Sequence, residues 1–261
     1  MGKLTNALYE IHDLDEMAER NTRINQVHPL IKLLITVFYI TCVVSYHKYN
    51  LLGLFPMILY PLIVFNLAEI SVKSCFKKLR VVLPLICFVG LFNPFFDHMP
   101  IFKIGSWIIT GGVISMVTLM LKGTYALLAS YLFIATTGIE RICYALKLLH
   151  IPGILVTQIL LTYRYITVLL KEANAVFQAY SLRAPREKGV KYKIWGSLIG
   201  QLLFRSIDRA GNLYDSMLLR GFKGEFYYAH KQRITSIDYI YLVLWFGIIS
   251  ALRLIKLVEG F

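Results

Sequence analysis

Apolar residues in this chain are gathered into long runs instead of recurring at the spacing of an amphipathic helix. A helix needs about 20 such residues to cross the hydrocarbon core of a bilayer. Five runs approach or exceed that length: residues 30–46, 51–67, 81–96, 107–137 and 239–252. The pattern predicts an all-α fold, a polytopic helical membrane bundle of about five spans.

Prolines interrupt two of the runs, and a lysine interrupts a third. Pro56 and Pro61 predict a kink that a membrane helix tolerates only where neighbours satisfy the carbonyl groups left without a donor. The third run is broken near Pro84 and Asn93-Pro94. Residues 107–137 form one long tilted helix or two short ones, and the distribution of positive charge favours one. Because a charge in hydrocarbon is costly, we expect Lys122 to face the bundle or to snorkel, and a role in transport is the alternative.

Composition supports lipid as the solvent of these runs. Of the 261 residues, 57% are hydrophobic and 16% are charged, and the mean hydropathy is +0.61. The net charge of +13 is concentrated in residues 140–233, where fifteen Lys and Arg face six Asp and Glu. Basic loops tend to remain on the cytoplasmic side of a membrane. The charge therefore indicates orientation, and it does not require a nucleic-acid partner.

A smaller basic cluster supports the same orientation and comprises Lys73, Lys77, Lys78 and Arg80. Residues 1–23 lack the basic start and apolar core of a secretory signal, so we expect the first span to act as its own insertion signal. The sequence predicts a multi-pass protein of the cell (cytoplasmic) membrane. Its four parts are a cytoplasmic N-terminal tail (1–29), a transmembrane bundle (30–137), a basic cytoplasmic domain (138–237) and a final transmembrane helix with the C-terminus (238–261).

Two amphipathic helices are predicted inside the basic domain. The first has an apolar stripe at Ile166, Leu170, Ala173, Phe177 and Tyr180. It ends near Pro185, because proline cannot continue a helix, and this places Arg183 in its last turn. The second stripe comprises Leu203, Ile207, Ala210, Tyr214 and Met217. This helix ends at Arg220, where Gly221 is suited to a left-handed cap.

Residues 154–170, just before the first amphipathic stripe, are harder to assign. They are apolar enough to touch lipid, but they contain Gln158 and Arg164. We interpret them as a partly buried or interfacial helix.

Each amphipathic helix thus presents an arginine immediately before a helix terminator. A positive charge there complements the helix dipole by about 0.3 to 1 kcal/mol, and for either arginine alone this is the simpler interpretation. The recurrence on neighbouring helices, with no catalytic group nearby, favours a second interpretation. A planar guanidinium binds a carboxylate of another protein with defined geometry.

At these residues the chain resembles the transmembrane T component of energy-coupling-factor transporters, the membrane subunit that docks on a pair of ATPases. That family carries short Ala-Arg-Gly motifs at the ends of its coupling helices. Leu182-Arg183-Ala184 and Leu219-Arg220-Gly221 match them, the arginine at both and the glycine only at the second. The resemblance extends over most of the chain, and it is closest to the cobalt-type permeases. Its most specific stretch is the run Ser-Met-Leu-Leu-Arg-Gly-Phe at residues 216–222.

The resemblance implies a coupling function without chemistry in this chain. The basic domain would lie on two ATP-binding subunits, identical or mixed, with Arg183 and Ala184 at one contact and Arg220 and Gly221 at the other. ATP would be used by those partners, and this chain would bind no cofactor. Closure of the ATPase pair would reorient a separate substrate-binding membrane subunit that carries cobalt, with nickel or a vitamin as alternative cargo.

The motifs that other function classes need are missing from the sequence. There is no GxxxxGK[ST] phosphate loop, and the six histidines lack HxxxH or HExxH spacing. Asp97 beside His98 is the one pair retained as a weak metal candidate. A membrane enzyme would need converging ionisable groups, and a channel or secondary transporter typically shows repeats or pore-lining polar residues. Both remain as less favoured alternatives.

Overall fold

The computed structural model describes residues 2–20, 22–80, 82–96, 100–104, 107–185, 191–224, 226 and 234–258. The chain forms two compact units. We call Ala18–Thr137 with Gln232–Phe261 the bundle unit, and Met1–Met17 with Gly138–Lys231 the basic unit.

The bundle unit is built around one long helix, α9 (Gly111–Thr137), against which α3, α5, α6 and α7 pack. Helix α13 (Ser236–Val258) packs on α3. The remaining elements are α2 (Arg23–Gln26), α3 (Pro29–Val44), α4 (Leu51–Leu54), a 3₁₀ turn (Phe55–Ile58), α5 (Leu59–Leu67), α6 (Val72–Leu79), α7 (Leu83–Leu91), α8 (Asn93–Phe96), β1 (Pro100–Ile104) and β2 (Trp107–Thr110).

The basic unit contains four helices among its described residues. These are α1 (Gly2–Glu19, whose last two residues belong to the bundle unit), α10 (Ile139–Leu148), α11 (Gly153–Arg183) and α12 (Tyr192–Leu219). Helix α11 packs against both α10 and α12.

The predicted helical membrane bundle is confirmed, with one addition. Strands β1 and β2 form an antiparallel hairpin, with Ile104 opposite Trp107. Strand β2 comprises the first four residues of the fourth predicted run, because the aromatic and β-branched residues of Trp107–Thr110 favour a strand. The rest of that run is one helix, as the charge distribution favoured, and it begins at Gly111. The third predicted run is divided into α7 and α8.

By length and composition, three of the described helices could cross a membrane: Gly111–Thr137, Gly153–Arg183 and Ser236–Leu254. Two shorter apolar segments, Pro29–Val44 and Leu51–Leu67, accompany them. Helix α11 joins the ambiguous residues 154–170 and the first amphipathic stripe into one continuous helix. Whether its first half lies in lipid stays a matter of prediction, and so does the cytoplasmic assignment of residues 138–237.

The kink in the second span is stabilised as the sequence requires. Pro61 has no N–H, so it leaves the Met57 carbonyl, four residues earlier, without a helical donor. The hydroxyl of fully buried Tyr39 donates to that carbonyl oxygen at 2.8 Å. Its ring stacks on Tyr60, which in turn meets Trp245 edge to face. A neighbouring span thereby replaces the lost helical bond.

Two lysines cap the ends of antiparallel α3 and α9 reciprocally. Near the start of α3, the buried Lys32 ammonium donates to the Thr136 carbonyl in the last turn of α9 at 2.8 Å. In α9, Lys122 donates to the Val44 carbonyl at the end of α3 at 3.0 Å, and also to the Tyr46 carbonyl. Carbonyls at a helix C-terminus lack intrahelical donors and carry partial negative charge. Lys122 therefore faces the bundle as expected, where it acts as a cap.

Buried Asp238 joins the starts of two helices. One carboxylate oxygen accepts from the Thr235 backbone N–H at 2.8 Å and so caps α13. The other accepts from the backbone N–H of His28, which precedes α3, at 2.9 Å. A carboxylate at a helix N-terminus satisfies orphan donors and complements the dipole, so Asp238 fixes α13 against α3.

Candidate functional site

The candidate site lies on the pair formed by α11 and α12. The Phe177 ring meets Trp195 with centroids 5.5 Å apart. The Glu172 carboxylate accepts from the Arg209 guanidinium at 2.8 Å. Earlier residues of α11 thus meet later residues of α12, so the helices run antiparallel.

Arg183 is the last residue of α11, as predicted. The backbone N–H of Ala184 donates to the Tyr180 carbonyl at 3.0 Å and closes the last turn. Ala184 has φ −126°, so this end does not use a left-handed cap, and Pro185 follows directly. The first motif therefore ends its helix without the glycine that the second motif has.

Arg220 lies at the end of α12 in a Schellman motif. Gly221 has φ +78°, and its N–H donates to the Leu218 carbonyl at 2.9 Å. The N–H of Phe222 donates to the Met217 carbonyl at 3.0 Å. These are the two hydrogen bonds that define the motif, and they confirm Gly221 as the predicted left-handed cap.

Both arginines are exposed, and neither guanidinium makes an ion pair with another of the residues described above. Each lies eleven residues, or three helical turns, after the partner in the ion pair that links the helices: Arg183 after Glu172, and Arg220 after Arg209. Because the two helices are antiparallel, moving eleven residues toward the C-terminus from the ion pair leads in opposite directions on α11 and α12. The arginines therefore lie on opposite sides of the ion pair, separated by the length of twenty-two residues. At 1.5 Å per residue the arginines are about 30 Å apart, too far for one binding groove to hold both.

An open groove of about 690 Å³ separates the first half of α11 from the second half of α12. Its walls are mostly apolar, with Arg209 and Lys223 among the lining residues. The apolar lining includes Ile154, Leu161, Leu169, Leu213, Met217 and Phe222. The sequence did not indicate this groove, because residues 154–170 and the amphipathic stripe that follows were interpreted separately, whereas α11 runs unbroken from Gly153.

The apolar stripe predicted on α12 lies on a helix as expected, but no other part of the chain that the structure describes covers it. Leu203, Ile207 and Tyr214 are each more than half exposed, and none of the helix's residues is buried. A helix that leaves its apolar face uncovered in the isolated chain offers a surface to another molecule.

Helix α1 is a part of the basic unit that the sequence did not indicate. The Tyr163 hydroxyl of α11 donates to the Asp15 carboxylate of α1 at 2.6 Å. The abundance of acids in residues 1–29 beside a basic domain was the available signal for this contact.

The described residues hold no group of three His, Cys, Asp or Glu placed to bind a metal ion. The weak candidate pair, Asp97 and His98, lies outside the described residues.

Residues 20–231 match the family model described as CbiQ, a cobalt transport protein. The chain belongs to the CbiQ family. The match contains both arginine motifs, the groove and every span except α13. Membership places the chain in a family of transport proteins, and its helices make it a multi-pass membrane protein.

Similarity to individual relatives is low in identity and variable in extent. The nickel permease LarQ of Lactiplantibacillus plantarum is 26% identical over 152 residues, 53% of this chain and 56% of that protein. An uncharacterized protein of Methanocaldococcus jannaschii is 25% identical over 257 residues, 93% of this chain and 86% of that protein. A second one from that organism is 28% identical over 177 residues, covering 64% and 63%. The chain thus spans just over half the length of the permease.

Proposed function

We propose that this protein is the membrane coupling subunit of an energy-coupling-factor importer. The observation that carries the proposal is the pair of exposed arginines at opposite ends of one antiparallel helix pair. A separation of about 30 Å suits two binding sites on two subunits, and a symmetric or near-symmetric ATPase pair offers two such sites. The family membership supports a role in transport.

Each guanidinium would bind acceptors in a groove of one ATP-binding subunit. A desolvated arginine bound in this way contributes geometry as well as energy, because its fork fixes the angle of the helix that carries it. The Gly221 cap would orient the Arg220 end, and the Ala184–Pro185 turn would orient the Arg183 end. ATP would be bound and hydrolysed entirely by the partners.

Movement of the ATPases would then act on α11 and α12 as a linked pair. The Glu172–Arg209 ion pair and the Phe177–Trp195 contact tie the helices together between the two arginines. Closure of the two sites would change the crossing of the helices and therefore the width of the groove beside them. The groove and the uncovered stripe of α12 are the surfaces we assign to an apolar helix of the substrate-binding membrane subunit.

The cargo that fits the comparisons is a divalent metal ion. The family model is described for cobalt, and one relative is called a nickel permease. We propose cobalt, with nickel as the close alternative, and the metal would be held by the substrate-binding subunit.

Copurification with the ATP-binding chains tests the coupling role. Arg183→Glu and Arg220→Glu should each reduce the yield of ATPase at least about tenfold, since losing one partner of a desolvated charge pair costs about 2–5 kcal/mol. The double variant should abolish ATP-dependent metal uptake in proteoliposomes. Because the arginines occupy separate sites, the two losses in binding free energy should add.

Arg205→Glu is the matched control, since Arg205 is an exposed arginine of α12 that lies away from either helix end. It should leave copurification and uptake unchanged. Normal uptake in the double variant, with unaltered thermal unfolding, would refute the coupling role. Uptake of a vitamin instead of cobalt or nickel by the wild-type complex would refute only the cargo.

A further inference from the structure

Helix α6 presents three different faces. Cys75 and Leu79 are buried and pack the helix on the bundle. Val72 and Phe76, one turn apart, are 39% and 44% exposed. The next face around the helix carries exposed Lys77, and exposed Arg80 follows at its end. The exposed apolar face therefore lies between the buried face and the basic one.

The helix lies at one end of the bundle unit. It follows α5 after a short connection, and it contacts α9. At this same end α9 finishes beside the start of α3, where Lys32 reaches Thr136, and the start of α13 is joined to that of α3 by Asp238. Between Glu69 and Arg80 the sequence has four basic residues and one acid. By the distribution of basic residues, this is the cytoplasmic end.

The helices before and after α6 have apolar side chains exposed along their length. Leu62 and Ile63 of α5 are 45% and 39% exposed, and Leu85 and Phe88 of α7 are 63% and 59% exposed. In a membrane bundle such side chains face acyl chains. Val72 and Phe76, on the helix that lies between α5 and α7 in the chain, are exposed as well and stand next to the basic residues of α6.

We propose that α6 is a binding site for anionic phospholipid of the cytoplasmic leaflet. Lys77 and Arg80 would contact the headgroup phosphate, and Val72 and Phe76 would lie against the upper acyl chain. Basic clusters directly beside a membrane span bind anionic lipid, and a helix with an aromatic and aliphatic face next to a cationic one lies in the interface. The site anchors the bundle at this end, and it does not depend on the proposed coupling function.

The apolar face distinguishes a phospholipid from other anions. A soluble phosphate or a nucleic acid would gain from Lys77 and Arg80 and would leave Val72 and Phe76 in water. A phospholipid covers both faces at once. The basic residues supply the preference for an anionic headgroup, and the apolar residues supply affinity for any lipid.

Native mass spectrometry of the full-length protein in neutral detergent tests the site. Dioleoyl phosphatidylglycerol should bind the wild type at least about tenfold more tightly than dioleoyl phosphatidylcholine. The variant Lys77→Gln/Arg80→Gln should lose roughly 25-fold in phosphatidylglycerol affinity, at about fivefold per charge. Phe76→Ser, which keeps the charge, should weaken both lipids by a similar factor.

Lys193→Gln/Arg205→Gln on α12 is the control with the same change of charge, and it should alter phosphatidylglycerol affinity less than twofold. An equal loss in this control would assign the effect to net charge and overturn the proposal. So would displacement of the lipid by excess inorganic phosphate, or the absence of any preference for phosphatidylglycerol. Thermal unfolding in phosphatidylcholine alone should be the same for the wild type and the two charge variants, because the altered polar side chains are exposed. Where Lys77→Gln/Arg80→Gln unfolds early, Lys77→Gln alone replaces it.

Discussion

Among the residues that the structure describes, three helices end in the same hydrogen-bond pattern, with three different residues at the left-handed position. Gly221 holds it at the end of α12, Glu69 at the end of α5 and His150 at the end of α10, with φ of +78°, +54° and +61°. Around His150 the two backbone bonds measure 3.1 and 3.3 Å, and around Glu69 both measure 3.3 Å. A residue with a Cβ pays about 1–2 kcal/mol for this conformation, so two of the three caps are strained.

Exchanging the residue types at two of these caps should change stability in opposite directions. We expect His150→Gly to raise the unfolding free energy by about 1 kcal/mol, because it removes the left-handed strain. Gly221→Ala should lower it by about 1–2 kcal/mol for the same reason. Thermal unfolding of the purified protein in detergent measures both. A shift in the same direction for the two variants would contradict this explanation of the caps.

These caps also show which helix ends can be predicted from residue type alone. Gly221 was predictable because glycine after an amphipathic stripe has one common use. Glu69 and His150 were not, because their types disfavour the left-handed region. The position of Arg220 at the end of its helix was predictable for the same reason as the Gly221 cap. The exposure of the Arg183 and Arg220 side chains was not, and it is known only from the structure.

At the scale of elements, one tyrosine compensates for a proline in another span. Tyr39 donates to the carbonyl that Pro61 leaves without a donor. The sequence predicted the defect but not the compensating residue, since many side chains on neighbouring spans could have reached it. In hydrocarbon such an unsatisfied carbonyl has no water to replace the lost bond.

A double-mutant cycle tests this compensation. Tyr39→Phe should destabilise the bundle by about 1–3 kcal/mol, because it leaves the Met57 carbonyl unsatisfied. In Pro61→Ala, position 61 has an N–H that can bond that carbonyl, so the same tyrosine change should cost much less. Chemical unfolding of the four proteins in mixed micelles gives the coupling energy. Additive losses would show that the hydroxyl does not serve the proline kink.

The full length of helix α11 could not be predicted from its hydrophobic pattern. Gln158 and Arg164 interrupt its apolar first half, so residues 154–170 were interpreted separately from the amphipathic stripe that begins at Ile166. The helix continues because no helix-breaking residue interrupts it: no proline or glycine occurs from Ile154 to Ala184.

For its partner α12 the helix was predicted, but the exposure of its apolar face was not. The apolar stripe on α12 was found, but the sequence could not reveal that it stays uncovered within this chain.

For the whole molecule, the covalent passages between the two units are few. The chain passes between them after Met17, after Thr137 and after Lys231. At the second passage, Gly138 has φ +72° and ψ +153°. This backbone region is essentially restricted to glycine. The backbone conformation at this passage therefore requires a residue without a Cβ.

We expect Gly138→Ala to separate ATPase binding from transport. The change strains the passage by about 1–3 kcal/mol and leaves both arginines untouched. Copurified ATPase should stay near the wild-type amount, while metal uptake per complex falls several-fold. Gly211→Ala in α12 is the control, because a Cβ there meets nothing within 4 Å and alanine favours a helix. Wild-type uptake in Gly138→Ala would show that the passage does not transmit movement.

The reciprocal lysine caps have a consequence for how the protein enters the membrane. When α9 emerges from the ribosome, its Lys122 would meet hydrocarbon alone, at a cost of about 2.5–3.5 kcal/mol on insertion scales. The carbonyls that receive it lie at the end of α3 (Val44) and just after it (Tyr46), and they were synthesised 78 and 76 residues earlier. The free energy of inserting α9 is therefore lowest when α3 is already in the membrane beside it. Because α3 is synthesised first, it is available when α9 emerges.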